Sequence, residues 1–144
     1  MISSGKSFTK GHQFRNAFKQ RQIPKNPWID FFGRQFKPFK TKEEPLANYI
    51  FSITLENEAY SNYFTEKLIH CFANVTTYIY HGTPKFGVIF NPNGAIVLTE
   101  NFDPNSLDKD LYFSKLEAIQ DHFELCLSHK KDGVLYDLIL EDIG

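Results

Sequence analysis

The chain has 144 residues, of which 42% are hydrophobic, and it contains 15 Phe and 7 Tyr. This composition excludes a disordered chain and suffices for one domain with a substantial core, residues 1–144. The net charge is -1, and no apolar run approaches the roughly 18 residues of a membrane span, so we expect a cytoplasmic protein without one.

The charge is unevenly distributed. Ten of the 16 Lys and Arg residues, but a single acid, fall in residues 1–42. A basic segment can bind nucleic acid, yet here the basic residues alternate with Phe and Trp typical of a core, and no nucleic-acid-binding motif is present. We therefore expect an anionic ligand or an anionic partner surface, and no nucleic acid.

The first forty residues predict short elements. Residues 1–4 look like the end of a strand, and residues 11–18 predict a helix that ends before Pro24. Residues 28–34 predict a strand that ends in Gly33, which we interpret as a turn glycine.

A nearly continuous apolar run, residues 49–55, predicts a strand buried on both faces, as in a parallel sheet. A polar loop and a helix follow. One stripe of this helix is apolar and the opposite stripe is polar. The apolar stripe comprises Phe64, Leu68, Cys71, Phe72 and Val75, and the polar stripe comprises Tyr63, Glu66, Lys67 and His70. A strand and a loop followed by a helix with Glu66-Lys67 in its first turn are suited to bind a phosphate ligand. The alternative is that the polar stripe is a solvated helix face. In the loop, Glu56 and Glu58 either face the ligand or are solvated acids.

The second half continues the alternation of strands and helices. Residues 76–84 predict a strand closed by Gly82 and Pro84, residues 95–98 a short strand, residues 111–130 a long helix and residues 134–143 a last helix. The inward positions of the long helix are predicted to be Leu116, Ile119, Phe123 and Leu127. This order indicates an α/β, Rossmann-like fold, with a mostly parallel sheet, helices on both faces and a ligand at the carboxyl ends of the strands. We interpret Cys71 and Cys126 as buried free thiols, and no spacing suited to metal ligands is present.

Several segments resemble one enzyme family. Asn57 followed by Tyr63-Phe64-Thr65-Glu66-Lys67 resembles the FEN…YxTEK segment of the α1,3-fucosyltransferases, glycosyltransferase family 10. Residues 75–84 resemble its GTVPIYWGxP segment, with Val75 in place of glycine and His81 in place of tryptophan. We interpret His81 as a packing substitute and not as a catalytic base. Residues 3–18 resemble the family's strand end followed by an arginine-bearing helix, and Arg15 occupies the place of that arginine.

The resemblance implies the carboxyl-terminal, donor-binding domain of a two-domain GT-B enzyme. Lys67 and Arg15 would neutralise the pyrophosphate of GDP-fucose, while Asn57 and Tyr63 would line the donor site. Glu66 would bind hydroxyl groups and stabilise positive charge at the anomeric carbon as fucose is transferred, with inversion, to a glycan hydroxyl. No metal or other cofactor is implied.

In the family the general base is a glutamate of the amino-terminal acceptor domain. We therefore expect the base outside this chain, in a larger parent protein or in a separate acceptor-domain chain. The alternatives are a non-catalytic nucleotide-sugar-binding module and an inactive fragment of a split fucosyltransferase.

Overall fold

Three parallel strands form the sheet of this α/β protein. The computed structural model describes residues 1–3, 6–57 and 66–130. The strands are β1 (Phe51–Leu55), β2 (Thr77–His81) and β3 (Ala95–Val97). The helices are α1 (Lys10–Lys25), α2 (Glu66–Ala73), α3 (Phe86–Ile89), α4 (Lys109–Ser114) and α5 (Leu116–Lys130), with short 3₁₀ turns at Pro92–Gly94 and Pro104–Ser106. Among these described helices, none combines the length and the apolar character needed to cross a membrane.

The strands pair in the order β1-β2-β3, and both pairs are parallel. Ile53 lies opposite Ile79, which in turn lies opposite Ile96. Because both neighbours run in the same direction, the carboxyl ends of the strands meet at one edge of the sheet. The predicted parallel, Rossmann-like fold is confirmed.

Alternate residues of the strands face opposite layers of helix. Ile53, Leu55 and Ile79 pack in one apolar cluster with Phe18 of α1, and Phe14 packs against the same cluster. This is the pairing that two phenylalanines four residues apart on one helical face predict.

On the opposite face, Tyr78 and Tyr80 of β2 pack with Leu68, Cys71 and Phe72 of α2. These three α2 residues are at most 2% exposed, so the predicted apolar stripe is confirmed at these positions. Helices therefore cover both faces of the sheet, as the sequence predicted.

Both cysteines are free thiols, as expected. Cys71 is buried and Cys126 is half-buried. Burial raises the pKa of each thiol to about 11, so both are protonated near neutral pH.

The predicted end of the first helix is wrong, because α1 continues through Pro24 to Lys25. Proline removes one backbone donor, but here the loss falls in the last turn. The backbone N–H of Asn26 still donates to the Gln22 carbonyl at 2.8 Å and closes the helix.

The strand predicted at residues 28–34 is also wrong. Phe32 forms only isolated bridges with Ile2 and Lys37. Immediately afterwards the chain turns, with the Phe36 N–H bonded to the Gly33 carbonyl at 3.0 Å. Gly33 has φ 142°, and a Cβ there would lie 1.9 Å from the Ser3 carbonyl oxygen. Gly33 is thus the turn glycine that the sequence indicated, and the turn limits the pairing to one residue.

The predicted long helix at residues 111–130 is divided in two at Lys115. The Lys115 ammonium donates to the carbonyl oxygens of Asn93 (3.0 Å) and Ala95 (3.2 Å), which anchors the break beside the start of β3. The predicted inward positions are confirmed only in part. Ile119 is buried and Phe123 half-buried, but the prediction is wrong for Leu116 and Leu127, which are 42% and 50% exposed. The last predicted helix, residues 134–143, lies outside the described residues.

Val75 leaves the predicted helical stripe because α2 ends at Ala73. Its φ is 54°, in the left-handed region that a β-branched residue rarely adopts. The fucosyltransferase segment that this part of the chain resembles has glycine at the same place. The backbone conformation explains why glycine suits the position.

Candidate functional site

The candidate site lies where β1 ends and α1 begins. The Asn57 carbonyl oxygen accepts hydrogen bonds from the Thr9 hydroxyl at 2.7 Å and from the Gly11 N–H at 3.1 Å. Thr9 is the N-cap of α1 and forms a capping box with His12. A Cβ on Gly11 would lie 2.1 Å from the Asn57 carbonyl oxygen, so only glycine allows this approach. The start of α1 is thereby fixed to the end of β1.

Two cations meet at the side chain of Asn57. Arg15 donates from Nη1 to Asn57 Oδ1 at 3.2 Å, and Lys67 Nζ donates to the same oxygen at 3.4 Å. Arg15 comes from the second turn of α1, and Lys67 from the first turn of α2. The Lys67 ammonium also donates to the Leu55 carbonyl oxygen at 3.0 Å. The side chains at 15, 57 and 67 are therefore contiguous, although 52 residues separate Arg15 from Lys67.

Glu56 balances part of this positive charge. Its side chain is fully buried, and Oε2 lies 3.4 Å from Lys67 Nζ, whose side chain is 27% exposed. The Glu56 N–H bonds to the His81 carbonyl oxygen at 2.9 Å, which ties the residue to the end of β2. Of the two interpretations of Glu56, facing the ligand or being a solvated acid, the second is therefore wrong. Glu58 lies outside the described residues.

The end of β2 closes against the same edge. A Cβ on Gly82 would lie 2.2 Å from Tyr80 Oη and 2.7 Å from Glu56 Cγ, so glycine lets this turn approach β1. His81 stacks on Phe14 of α1, with ring centroids 4.2 Å apart and 14° between the planes. Burial lowers the pKa of His81, which favours a neutral imidazole. The stacking contact agrees with the interpretation of His81 as a packing substitute.

Two of the cations of α1 are buried. Arg15 is 5% exposed and Lys19 is 7% exposed. Burial lowers the pKa of the Arg15 guanidinium, and burial together with the Arg15 charge lowers the pKa of Lys19. A guanidinium remains charged at neutral pH even after such a shift. The site thus presents positive charge where water is largely excluded, and there an anion interacts more strongly than at an open surface.

Three of the five predicted site residues, Arg15, Asn57 and Lys67, are brought together. Glu66 is the first residue of α2, and Tyr63 lies outside the described residues.

Sequence reasoning missed two contributors, Thr9 and Gly11, which hold the Asn57 carbonyl oxygen. A signal that could have found them is the start of α1, since threonine is a preferred N-cap.

A cavity of about 360 Å³ lies elsewhere, near the amino end of β1, and is lined by Trp28, Phe51 and Asp30 among others. Asp30 already accepts a hydrogen bond from the Tyr49 hydroxyl at 2.5 Å and pairs with Lys37. These hydrogen bonds lower the pKa of Asp30. The cavity has no cationic pair comparable with Arg15 and Lys67 among the residues that line it, so the carboxyl edge is the better candidate for an anion.

No protein-family model matches the chain, and no solved structure matches it. The chain is similar to the alpha-(1,3)-fucosyltransferase FucT of Helicobacter pylori, with 36% identity over 119 residues. The match covers 72% of this chain and 25% of the relative, so the chain corresponds to about a quarter of that protein's length. The similarity supports a distant relationship to the fucosyltransferases and a glycosyltransferase-like kind of protein.

Proposed function

We propose that this chain is the donor-binding part of a fucosyltransferase-like glycosyltransferase, and that it binds a GDP-sugar, with GDP-fucose as the expected donor. The whole reaction would transfer the sugar to a glycan hydroxyl with inversion. The sequence similarity to a fucosyltransferase supports the class of enzyme. The identity of the donor and the roles of the individual residues are what we propose beyond that similarity.

One observation carries the proposal: Arg15 and Lys67 converge on Asn57 Oδ1 at the carboxyl edge of a parallel sheet. This is the edge at which open α/β sheets bind their ligands. A guanidinium and an ammonium beside each other suit a pyrophosphate, because its oxygens accept several charge-assisted hydrogen bonds at once.

The chemistry then follows from where charge develops. When the bond between sugar and diphosphate breaks, negative charge grows on the departing GDP, so Arg15 and Lys67 would stabilise the transition state more than the ground state. Asn57 would hold both cations in place, and its own amide would contact the donor. Glu66 would stabilise positive charge at the anomeric carbon, and Tyr63 would line the donor site.

A non-catalytic nucleotide-sugar-binding module is the alternative, since it would need the same cations. The two functions differ in turnover. A donor-binding part of an enzyme should support the acceptor-dependent release of GDP from GDP-fucose once an acceptor domain is present. A binding module should not.

Calorimetric titration with GDP and with guanosine tests the binding step. Two charge-assisted contacts of ordinary strength predict that GDP binds on the order of 100-fold more tightly than guanosine. The GDP affinity should fall as ionic strength rises, because salt screens the attraction.

Two matched variants locate the site. Arg15→Met should abolish most of the preference for GDP. Arg21→Met, which removes an exposed cation from the same helix, should not. Equal affinities of the unaltered chain for GDP and guanosine would refute the proposal.

A further inference from the structure

β1 lies at one edge of the described sheet, where it pairs with β2 alone. The N–H and C=O groups of successive residues in a strand point to alternate sides of that strand. The Glu56 N–H donates to the His81 carbonyl of β2 at 2.9 Å, so the even-numbered residues of this segment bond to β2. The odd-numbered residues of β1 consequently direct their backbone groups to the outer edge, away from β2. They are Phe51, Ile53 and Leu55.

Two of these three residues have no hydrogen bond at the outer edge. The Leu55 carbonyl accepts one from Lys67 Nζ at 3.0 Å, whereas Phe51 and Ile53 have none on this side within the described part of the chain. Ile53 is 7% exposed and Phe51 is half-buried. Buried backbone N–H and C=O groups are almost always paired in native proteins. The outer edge of β1 therefore presents groups that a further strand would satisfy.

Two cavities border this edge. The cavity of about 360 Å³ is lined by Phe51 and Ile53 of β1 and by residues 28–30. A smaller cavity, of about 50 Å³, is lined by the same strand and by Ile2. Ile2 and Phe32 form an isolated bridge with each other. Both cavities thus lie between β1 and the bridged segments, and we call the two together the strand slot.

The lining of the strand slot indicates the chemistry of its occupant. Ile53 and Ile79 line the larger cavity and belong to the apolar cluster on the α1 face of the sheet. Leu46 and Cys71 line the smaller cavity and belong to the cluster on the α2 face. A strand that is covered on both faces is a continuous apolar run. An apolar small molecule would fill the space but leave the outer backbone groups of β1 unpaired.

We propose that the strand slot receives an extended, continuously apolar strand of a partner polypeptide, which adds to the outer edge of β1. This strand would accept hydrogen bonds from the N–H groups of Phe51 and Ile53 and donate to their carbonyl oxygens. Such main-chain hydrogen bonds supply affinity in strand addition, while side-chain pockets supply specificity. β1 has five residues, so a partner segment of about five residues matches its length. The proposed donor site lies beyond the carboxyl end of β1, and this inference is independent of GDP binding.

The test uses a synthetic peptide of five alternating valine and isoleucine residues, acetylated at its amino end and followed by two lysines for solubility. Amide hydrogen exchange of the full chain is followed by NMR with and without this peptide. At saturation the peptide should slow exchange at Phe51 and Ile53 by about 10-fold or more, because both N–H groups gain a hydrogen bond. The amides of Ser52 and Thr54, on the side that pairs with β2, should change much less.

Two further peptides, methylated on the odd or on the even backbone nitrogens, separate strand addition from the filling of an apolar cavity. They keep every side chain, and the one whose methyl groups face β1 loses its donors. At least one of them should therefore bind about 10-fold or more weakly than the unmethylated peptide.

Two variants of the chain locate the site. Trp28 lines the strand slot and is 53% exposed, so Trp28→Ala should weaken binding of the unmethylated peptide by about 5- to 10-fold. Phe8 is 85% exposed and does not line the slot, so the matched Phe8→Ala should leave the affinity unchanged. Should Trp28→Ala not fold, the methylated peptides still decide.

Four results overturn the inference. Equal affinities of all three peptides would make the slot a cavity for an apolar small molecule. Protection of Val97 instead of Phe51 and Ile53 would place the added strand at the opposite edge of the sheet. Protection that rises with the concentration of the chain alone would assign the edge to a second copy. Absence of binding up to the solubility limit of the unmethylated peptide would show that the slot accepts no strand.

Discussion

Replacing Lys67 by methionine tests folding and binding together. The Lys67 ammonium lies 3.4 Å from the fully buried carboxylate of Glu56 and bonds to the Leu55 carbonyl. Lys67→Met removes the charge and leaves the Glu56 carboxylate buried beside an apolar side chain. We therefore expect a loss of stability in addition to the loss of GDP binding.

The size of the loss follows from burial. Two unit charges 3.4 Å apart attract by about 5 kcal/mol at an effective dielectric constant of 20. Removing one partner of a fully buried pair costs about 3–5 kcal/mol. Lys67 is 27% exposed, so solvent screens the pair and we expect about 2 kcal/mol for Lys67→Met.

Urea denaturation of Lys67→Met, Glu56→Gln and the double variant measures the coupling. In the double variant the glutamine amide is neutral, so no buried carboxylate lies beside the methionine side chain and most of the stability should return. GDP binding should not return, because the cation is still missing. The double variant thus separates the stability of the fold from the function of the site.

Two results would contradict this reasoning. If Lys67→Met unfolds at the same urea concentration as the unaltered chain, the ion pair does not stabilise the fold. If the losses of the two single variants simply add in the double variant, the Glu56 carboxylate does not interact with Lys67.

Four further predictions follow from the core and the site. Phe72 is 1% exposed and contacts three aromatic rings, so Phe72→Ala should lower the free energy of unfolding in urea by about 3–5 kcal/mol, whereas Phe113→Ala, at a position 61% exposed, should change it by less than about 0.5 kcal/mol. Burial lowers the pKa of His122 from 6.5 to about 4, so the unfolded chain binds more protons in this range. Stability should then be fully present above pH 6.5 and fall by about 3 kcal/mol toward pH 4, and urea titrations across this range should show the fall flattened in His122→Phe. Val75→Gly should raise the thermal stability by roughly 1 kcal/mol, because glycine adopts a positive φ without strain. The fucosyltransferase resemblance implies a donor site without metal, so GDP titrations with and without EDTA should agree, and a loss restored by Mn²⁺ would contradict that expectation.

The sheet could be predicted because its signals are local. The apolar run at residues 49–55 gave the position of β1, and the alternation of strands with helices gave the parallel order. The strand expected at residues 28–34 is also rich in apolar residues, but there the only described bridges are the isolated ones at Phe32. Apolar content indicates burial, but whether a buried segment pairs as a strand also depends on distant residues, which no local pattern contains.

The site was partly predictable for a related reason. Lys67 follows the predicted end of β1, and open α/β sheets bind ligands at the carboxyl ends of their strands, so its place follows from the topology. The strand end expected before Arg15 is only an isolated bridge at Ile2 in the described residues, so the place of Arg15 does not follow in this way. The hydrogen bonds that fix Asn57 come from Thr9 and Gly11, 48 and 46 residues away. The burial of Glu56 likewise depends on the turn at Gly82. Such contacts result from the packed fold and leave no periodicity in the sequence.

The amide of Asn57 has a consequence for how the site could evolve. Aspartate has nearly the same shape and could accept the same hydrogen bonds from Arg15 and Lys67. It would also carry a permanent negative charge between the two cations, and so act as a tethered competitor for any phosphate ligand. Asn57→Asp would therefore lower the affinity for a phosphate ligand and stabilise the protein, because the carboxylate would pair with both cations itself. Under the proposed function, asparagine at position 57 would position both cations without adding a negative charge that competes with the ligand.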